Sequence, residues 1–241
     1  MSQITVNTIN PYFIAGEVTL NGTVVRNNPD TSIIGIGSGA LTTATGINNT
    51  ALGKNALNSV STGDANVAIG NGSLQGCTGN DNTAIGRNAG YTHTTGSNNI
   101  FIGHISVGSS VTVSNEITLG NSSNTVIRAA VTSITSLSDE RDKKEIQPLQ
   151  VGLDFINTLN PVTFVWDERD VNGKHDVKDF GFIAQDLKKS QEDINLEETL
   201  KLVYEENPDK LEASYGKLVP ILVKAIQDLS KEIENLKNKL N

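Results

Sequence analysis

A glycine that recurs every 16 or 17 residues constrains the fold of this chain more than any other feature. The repeated glycines are Gly37, Gly53, Gly70, Gly86, Gly103 and Gly120. Each follows an aliphatic residue, in order Ile36, Leu52, Ile69, Ile85, Ile102 and Leu119. A unit of this length has room for one or two strands and tight turns, and it cannot bury a core by itself. The units must therefore stack on one another.

Small and turn-forming residues complete the unit. A small side chain follows each glycine by three residues, at Ala40, Ala56, Ser73, Ala89, Ser106 and Ser123, and four units begin with Asn49, Asn66, Asn82 and Asn99. Asn and Gly suit left-handed turn positions between strands. Roughly one large aliphatic residue per unit supplies little apolar surface for the core of a monomer. Three chains that place this residue toward a shared axis would form an apolar column. We predict a mainly β repeat over residues 33–137, as a trimeric β-prism or β-solenoid shaft, with a single-chain β-solenoid as the alternative.

A hairpin signal precedes the repeat. Residues 17–26 alternate in polarity around Asn21-Gly22, which is a strong type I′ turn signal. We expect residues 1–32 to form a small β cap or attachment element.

The charged residues divide the chain into two halves of different character. Residues 1–137 contain 9 of the 46 charged residues but 18 of the 22 glycines, and the remainder holds 15 basic and 22 acidic residues. An acidic chain without a basic cluster is a poor ligand for nucleic acid or an anionic membrane. There is no apolar run of about 18 residues and no secretory leader pattern at the N-terminus. We therefore expect cytosolic synthesis without Sec export, no membrane insertion and no nucleic-acid partner. Cys77 is the single cysteine, so packing rather than an intrachain disulfide must hold the fold.

The second half has the pattern of an α+β domain. Val151–Leu159 is helical in pattern and ends at Asn160-Pro161, Val162–Trp166 alternates like a strand, and Asn172-Gly173 indicates a hairpin turn. A terminal helix carries apolar residues every three or four positions, at Leu218, Leu222, Ala225, Leu229, Ile233, Leu236 and Leu240. This spacing predicts a long coiled-coil helix, and its continuation to the last residues favours self-association over a single amphipathic helix.

The junction between the halves contains a candidate nucleophile and base. Ser138 is followed five residues later by Lys143, and a serine becomes a useful nucleophile only when a neighbour takes its proton. A lysine can do so if burial or nearby positive charge, here from Arg141 and Lys144, lowers its pKa. The alternative is structural, because a serine followed by Asp139 and Glu140 is also how a helix begins.

Helix geometry restricts how the two residues meet. On a regular helix a separation of five residues turns about 140° around the axis, so Ser138 and Lys143 would not share a face. Either the segment is irregular, or the lysine serves the serine of a neighbouring chain.

Two family resemblances accompany these patterns. The Asn-x-Ala-Ile-Gly unit resembles the head repeats of trimeric autotransporter adhesins and the shafts of viral fibres. The order Ser138-Asp-x-Arg-x-Lys143, Phe164-Val-Trp166, Gly181-Phe-Ile-Ala-Gln185 and a terminal Tyr215-x-x-Leu218 helix resembles the peptidase S74 family, the intramolecular chaperone of endosialidases and phage tail spikes. That resemblance covers residues 138–241. It implies that the domain trimerises, assists folding of the preceding fibre and cuts between Leu137 and Ser138, with Ser138 as nucleophile, Lys143 as base, and Gln185 and Arg141 as possible supporting residues.

Several functions follow as expectations. The favoured one is a phage or viral tail fibre or spike subunit with a self-releasing trimerisation chaperone; the alternative is a trimeric surface adhesin that never cuts. A glycan depolymerase is disfavoured because the acids before the junction, Glu17, Asp30, Asp64, Asp81 and Glu116, are scattered. No cofactor is expected, and His93 and His104 lack metal-ligand partners in the sequence. The expected partners are two further copies, a virion base or tail component, and a host receptor such as a glycan. The expected location is the virion, with the chaperone domain released in the host cytoplasm.

Overall fold

The chain contains two compact units in the computed structural model. The structure describes residues 16–20, 23–28, 33–43, 45–59, 62–130, 134–169 and 174–240. One unit comprises Met1–Asn124 and the other Thr125–Asn241. The predicted domain limits at residues 32 and 137 remain predictions.

The first unit opens with the predicted hairpin. Strand β1 (Gly16–Leu20) pairs antiparallel with β2 (Thr23–Asn28), and the innermost pair is Leu20 with Thr23. The hairpin is thereby confirmed, while Asn21 and Gly22 lie outside the described residues, as do residues 1–15 of the predicted cap. Strand β2 also pairs antiparallel with strand β3 (Ile33–Ile36), which connects the hairpin to the repeat.

The repeat is a β-solenoid of about 5 turns over residues 34–119. Its short parallel strands are β3 (Ile33–Ile36), β4 (Thr50–Leu52), β5 (Val67–Ile69), β6 (Thr83–Ile85), β7 (Ile100–Ile102) and β8 (Ile117–Leu119). Each strand pairs in register with the strand one turn on, so equivalent residues form columns. The predicted β repeat is confirmed.

The middle residue of each of the strands β4 to β7 faces the solenoid interior. Ala51, Ala68, Ala84 and Phe101 are fully or almost fully buried. The aliphatic residue before each glycine faces outward instead, with Leu52 46% and Ile85 41% exposed. The small alanine column lets the coils be narrow, and leucines in the turns, such as Leu57 and Leu74, fill much of the remaining interior.

A ladder of buried asparagines joins successive coils. The backbone N–H of each one donates to the side-chain oxygen of the one before, as Asn66 does to Asn49 at 2.9 Å. The side-chain amides donate forward to backbone carbonyls, Asn49 to Gly63, Asn66 to Gly79, Asn82 to Gly96 and Asn99 to Val113. Buried amides are costly unless hydrogen-bonded. The ladder therefore fixes the register of neighbouring coils, and it ends at Glu116, whose N–H donates to Asn99.

Close packing of backbone against backbone explains two glycine columns. In the predicted column, Gly86 has φ +137°, and a Cβ there would lie 2.4 Å from the Gly103 oxygen. A second column, Gly46, Gly63, Gly79 and Gly96, was missed in the sequence although Thr-Gly-x-x-Asn marks it. A Cβ on Gly79 would lie 1.8 Å from the Gly96 oxygen. Asparagines also occupy left-handed positions, at Asn48, Asn55, Asn88, Asn98 and Asn115, whereas the four that begin the repeat units do not.

The second unit is α+β, as predicted. Its helices are α1 (Leu153–Ile156), α2 (Ala184–Glu192), α3 (Glu197–Leu200) and α4 (Leu218–Leu240), with 3-10 turns at Glu140–Asp142 and Tyr215–Lys217. Its strands form two antiparallel pairs, β9 (Val162–Asp167) with β10 (His175–Gly181), and β11 (Val203–Tyr204) with β12 (Glu212–Ala213). Helix α1 is shorter than the predicted 151–159 at both ends, since it begins after Gly152 and ends at Ile156. The Asn172-Gly173 turn lies outside the described residues.

Helix α4 has two apolar faces. Leu218, Ile221 and Ala225 are buried, and Leu218 and Ile221 belong to a core cluster that includes Phe155 of α1. Two residues of the predicted coiled-coil seam, Leu218 and Ala225, thus belong to the unit's own packed face. The exposed face carries Val219, Leu222, Ile226, Leu229, Ile233, Leu236 and Leu240, which alternate by three and four residues.

Candidate functional site

A single 3-10 turn shapes the junction between the two halves. Asp139 is extended and caps the turn, since its side-chain oxygen accepts a hydrogen bond from the Arg141 N–H at 2.9 Å. Glu140–Asp142 form the turn, and Lys143 is again extended. Because extended residues lie on both sides of these three, the segment makes a single turn and does not continue as a helix.

This turn brings the candidate nucleophile and base together in one chain. The Lys143 Nζ lies 2.6 Å from the Ser138 Oγ and 3.2 Å from the Ser138 carbonyl oxygen. Of the two geometric solutions open from the sequence, the structure has the irregular segment. Hydrogen-bond distance between Oγ and Nζ is the arrangement that proton transfer from a serine to a lysine requires.

The helix-cap alternative for Ser138 is wrong in this structure, because Asp139 is the capping residue. Asp139 also binds the Arg141 guanidinium with both carboxylate oxygens, at 2.9 and 2.6 Å. Hydrogen bonds from the Arg141 side chain, and then from its backbone N–H, lower the pKa of Asp139, and the same pair raises the pKa of Arg141. The Arg141 charge is therefore paired with Asp139. The capping role was missed, although an aspartate just before a short polar turn is a common cap signal.

Gln185 lies apart from this contact in the hydrogen-bond network. It is exposed in the first turn of α2, and among the described residues no hydrogen bond joins it to Ser138 or Lys143. Its supporting role stays a prediction.

The cleavage-site segment is exposed in the single chain. Leu137 is 100% exposed and Ile134 is 102% exposed, and Ser138 and Lys143 are exposed too. These two large apolar side chains lie in water on either side of Thr135 and Ser136. Within the part of the chain that the structure describes, no residue excludes water from Ser138 and Lys143.

The histidines take part in local contacts. His93 is buried, with Nε2 2.9 Å from the Gly96 oxygen, His104 contacts Arg87, and His175 pairs with Asp167. Within the described ranges there is no group of three or more His, Cys, Asp or Glu side chains that could hold a metal ion. In the same ranges, no helix has both the length and the apolar character needed to cross a membrane.

Comparison with known families bears directly on the junction. Residues 138–196 match the model of the peptidase S74 family, described as the chaperone of endosialidase. The matched segment lies within the second unit and covers less than half of the chain. The match begins at Ser138, so Ser138 and Lys143 lie at the N-terminal edge of the matched segment. No curated protein and no solved structure gives a significant match to the chain. A peptidase S74 domain behind a β-solenoid fits a protein of the tail-fibre type and implies a possible self-cleaving peptidase.

Proposed function

We propose that this chain is a subunit of a phage or viral tail fibre or spike, and that its C-terminal domain cuts itself off between Leu137 and Ser138. In this proposal three copies associate, the peptidase S74 domain assists folding of the solenoid, and cleavage then releases the domain. The observation that carries the proposal is the 2.6 Å contact between Ser138 Oγ and Lys143 Nζ at the start of the matched segment.

The proposed reaction needs no residue beyond the junction. Lys143 in its neutral form takes the Ser138 hydroxyl proton, and Oγ attacks the carbonyl carbon of Leu137. The bond from that carbon to the Ser138 nitrogen breaks, the nitrogen gains a proton, and an ester joins the Leu137 carbonyl to Oγ. Water then hydrolyses the ester, leaving a Leu137 carboxylate and a Ser138 amine.

Exposure of the junction supports a requirement for assembly. In water the charged form of a lysine is favoured, whereas a site that excludes water favours the neutral amine that acts as a base. Leu137 and Ile134 would be covered if neighbouring copies packed around the junction. We therefore propose that cleavage is slow in isolated chains and fast in the trimer.

Two exposed apolar surfaces support self-association. One is the outward face of α4, whose alternating Leu and Ile residues are those of a coiled-coil seam. The other is the outward aliphatic column of the solenoid. In the α4 seam, Val or Ile alternates with Leu from Val219 to Leu236. In isolated coiled coils this alternation favours two strands. We assign the three-fold order on the resemblance to trimeric fibres.

The remaining parts of the proposal concern location and partners. The mature product, residues 1–137, would remain in the virion, attached at one end to a base or tail component, with a host-surface receptor such as a glycan bound by exposed loops. The released domain would stay in the host cytoplasm.

Intact mass measurement tests the cleavage. Freshly expressed chain should separate into two masses that divide at Leu137/Ser138, and Ser138→Ala and Lys143→Ala should stay whole. Ser136→Ala, two residues upstream, is the matched control and should cut normally. Hydroxylamine added during processing should trap the ester as a Leu137 hydroxamate. If the parent chain remains whole in its trimeric form, the non-cleaving trimeric adhesin becomes the better proposal.

A second measurement tests the dependence on assembly. Charged substitutions in the α4 seam, such as Ile233→Asp, should block both association and cutting. Unchanged processing in a variant that sediments as single chains would reject the requirement.

A further inference from the structure

Asp139 lies between the candidate nucleophile and the 3-10 turn, and three of its oxygen atoms accept hydrogen bonds. Its Oδ1 accepts from the backbone N–H and from the Nε of Arg141, both at 2.9 Å. Its Oδ2 accepts from the Arg141 Nη2 at 2.6 Å, and its carbonyl oxygen accepts from the Asp142 N–H at 3.3 Å. The start of the turn is therefore fastened to the residue next to Ser138.

The other end of the turn carries Lys143. The Lys143 N–H donates to the Glu140 oxygen at 3.0 Å, and Lys143 itself is extended. Its Nζ donates twice to Ser138, to Oγ at 2.6 Å and to the carbonyl oxygen at 3.2 Å. A long lysine side chain loses much conformational entropy when it is held in one place. The Nζ is held on Ser138 most readily when the turn fixes the Lys143 backbone at a constant distance from it.

The acids inside the turn leave Lys143 to Ser138. Glu140 and Asp142 are exposed, and within the described ranges neither forms an ion pair or a hydrogen bond with the Lys143 side chain. Asp139, the acid next to the nucleophile in sequence, binds Arg141 instead. A carboxylate that would draw the lysine away from Ser138 is thus absent from the described part of the junction.

Arg141 acts on the two residues only through Asp139. Its side chain is 88% exposed, and among the described residues its guanidinium binds the Asp139 carboxylate alone. An exposed ion pair of this kind adds little stability. A capping side chain, by contrast, satisfies a backbone N–H that has no partner inside the turn. The bond from the Arg141 N–H to Asp139 is therefore the contact that matters most to the turn.

We propose that Asp139 is a positioning residue for self-cleavage, because its cap on the Arg141 N–H sets the turn that holds Lys143 against Ser138. This inference rests on the proposed self-cleavage and names a further residue that it needs. A base that is already held at its nucleophile reacts without first having to find it. Asp139 acts through Lys143, and a cap does not require a negative charge. An amide oxygen should therefore replace the carboxylate, whereas a methyl group should not.

The cleavage rates of three variants test the proposal. Asp139→Ala should slow the appearance of the two products about five-fold or more, since the loss of a typical cap changes an equilibrium by about that factor. Asp139→Asn should stay within about two-fold of the parent rate, because its side-chain oxygen can still accept from the Arg141 N–H. Glu140→Ala is the matched control, since it removes an exposed neighbouring acid, and it should leave the rate unchanged. Light scattering selects samples with the same degree of association, so that a loss of assembly is not counted as a loss of positioning.

A thiol at position 138 measures the contact with Lys143 without any cleavage. In Ser138→Cys the sulfur would lie beside the lysine ammonium, which favours the thiolate. Alkylation by iodoacetamide, read as peptide mass on uncut chain, should therefore begin at lower pH than in the reference variant Ser136→Cys. Cys77 is buried and gives the same background in every variant.

The same reagent then separates the cap from the charge of Asp139. Asp139→Ala and Asp139→Asn, each added to Ser138→Cys, remove the same negative charge, so a difference between them reports the cap. The variant with Asp139→Ala should need a higher pH for alkylation than the variant with Asp139→Asn.

The outcomes distinguish this inference from the proposed function. If the parent chain cuts and Asp139→Ala cuts equally fast, or if Asp139→Asn is as slow as Asp139→Ala, the inference is overturned and the proposed cleavage stands. If the parent chain stays whole while the two thiol variants differ as expected, the proposed cleavage is lost and the positioning of Lys143 by Asp139 stands. Identical alkylation of the two thiol variants would overturn the inference in either case.

Discussion

The solenoid and the C-terminal unit pack and hydrogen-bond their interior residues by different means. In the solenoid each coil completes the next, since the asparagine ladder and the alanine column repeat the same contacts turn after turn. The C-terminal unit has a small core cluster around Phe155 and Ile221, and it leaves one full face of α4 exposed. The comparison teaches that repetition gives the solenoid a complete interior within one chain, whereas the C-terminal unit depends on one small core cluster; both units also expose an apolar outer face.

A substitution in the second glycine column should have the largest effect on the free energy of unfolding of the solenoid. In Gly79→Ala the new Cβ would lie 1.8 Å from the Gly96 oxygen, and neither backbone can move without breaking the stack. We expect a loss of about 3 kcal/mol or more in the free energy of unfolding of the solenoid. Chemical denaturation followed by circular dichroism measures it.

Gly76→Ala is the matched control, because nothing lies within 4 Å of the added Cβ. It should be neutral or stabilising by up to about 1 kcal/mol. Equal losses from the two substitutions would contradict the account of the second glycine column.

An asparagine substitution should have the next largest effect. Asn82→Ala leaves the buried Asn99 N–H without its acceptor, and it removes one hydrogen bond from the Gly96 oxygen, which keeps its contact with His93. The unpaired group costs about 1–3 kcal/mol and each further lost hydrogen bond about 0.5–1.5 kcal/mol, so we expect a loss of about 2–5 kcal/mol. Asn71→Ala, at an exposed turn position, should lose less than about 0.5 kcal/mol. Similar melting temperatures for the two variants would show that the ladder does not hold the coils together.

The two faces of α4 should respond differently to the same change. Ile221→Ala, in the core cluster, should destabilise the C-terminal unit by about 2–4 kcal/mol at any protein concentration. Ile226→Ala, on the exposed face, should lower stability only through association, so its effect should depend on protein concentration. Thermal denaturation across a hundred-fold concentration range separates the two. A concentration-independent effect of Ile226→Ala would mean that the exposed face of α4 does not associate.

The sequence predicted the stacked coils, whereas the structure was needed to show which side chains face the interior and which face outward. A period of 16 or 17 residues and its glycines were enough to predict stacked coils, because every unit must make the same contact with the next. The direction of the aliphatic column stayed open between the favoured trimer, which needs it to face outward, and the single-chain solenoid, since a three-residue strand can place either its middle or its outer residues inside. The one-residue shift of the α4 seam from Ala225 to Ile226 arose similarly, because both residues fit a three-and-four spacing and only packing against the unit's own core distinguishes them.

At the junction, too, the sequence predicted which residues matter but not how the backbone brings them together. Residue types were sufficient to select Ser138 and Lys143, because a hydroxyl and an amine are the groups that the chemistry needs. Their contact within one chain depends on the 3-10 turn that Asp139 caps, and such a turn has no periodic signature in sequence.

The smallest predicted effect is a pH dependence confined to the solenoid. Burial lowers the pKa of His93 from 6.5, more than its hydrogen bond to the Gly96 carbonyl and the charge of Glu116 raise it. Between the lowered pKa and 6.5 the unfolded chain binds more protons than the folded one, so the solenoid should lose stability as pH falls through that window and level off below it. His93→Gln should remove this slope, whereas His104→Gln, at an exposed position, should keep it. Denaturation of the solenoid at a series of pH values measures the slope, and a slope that survives His93→Gln would assign it to the carboxylates instead.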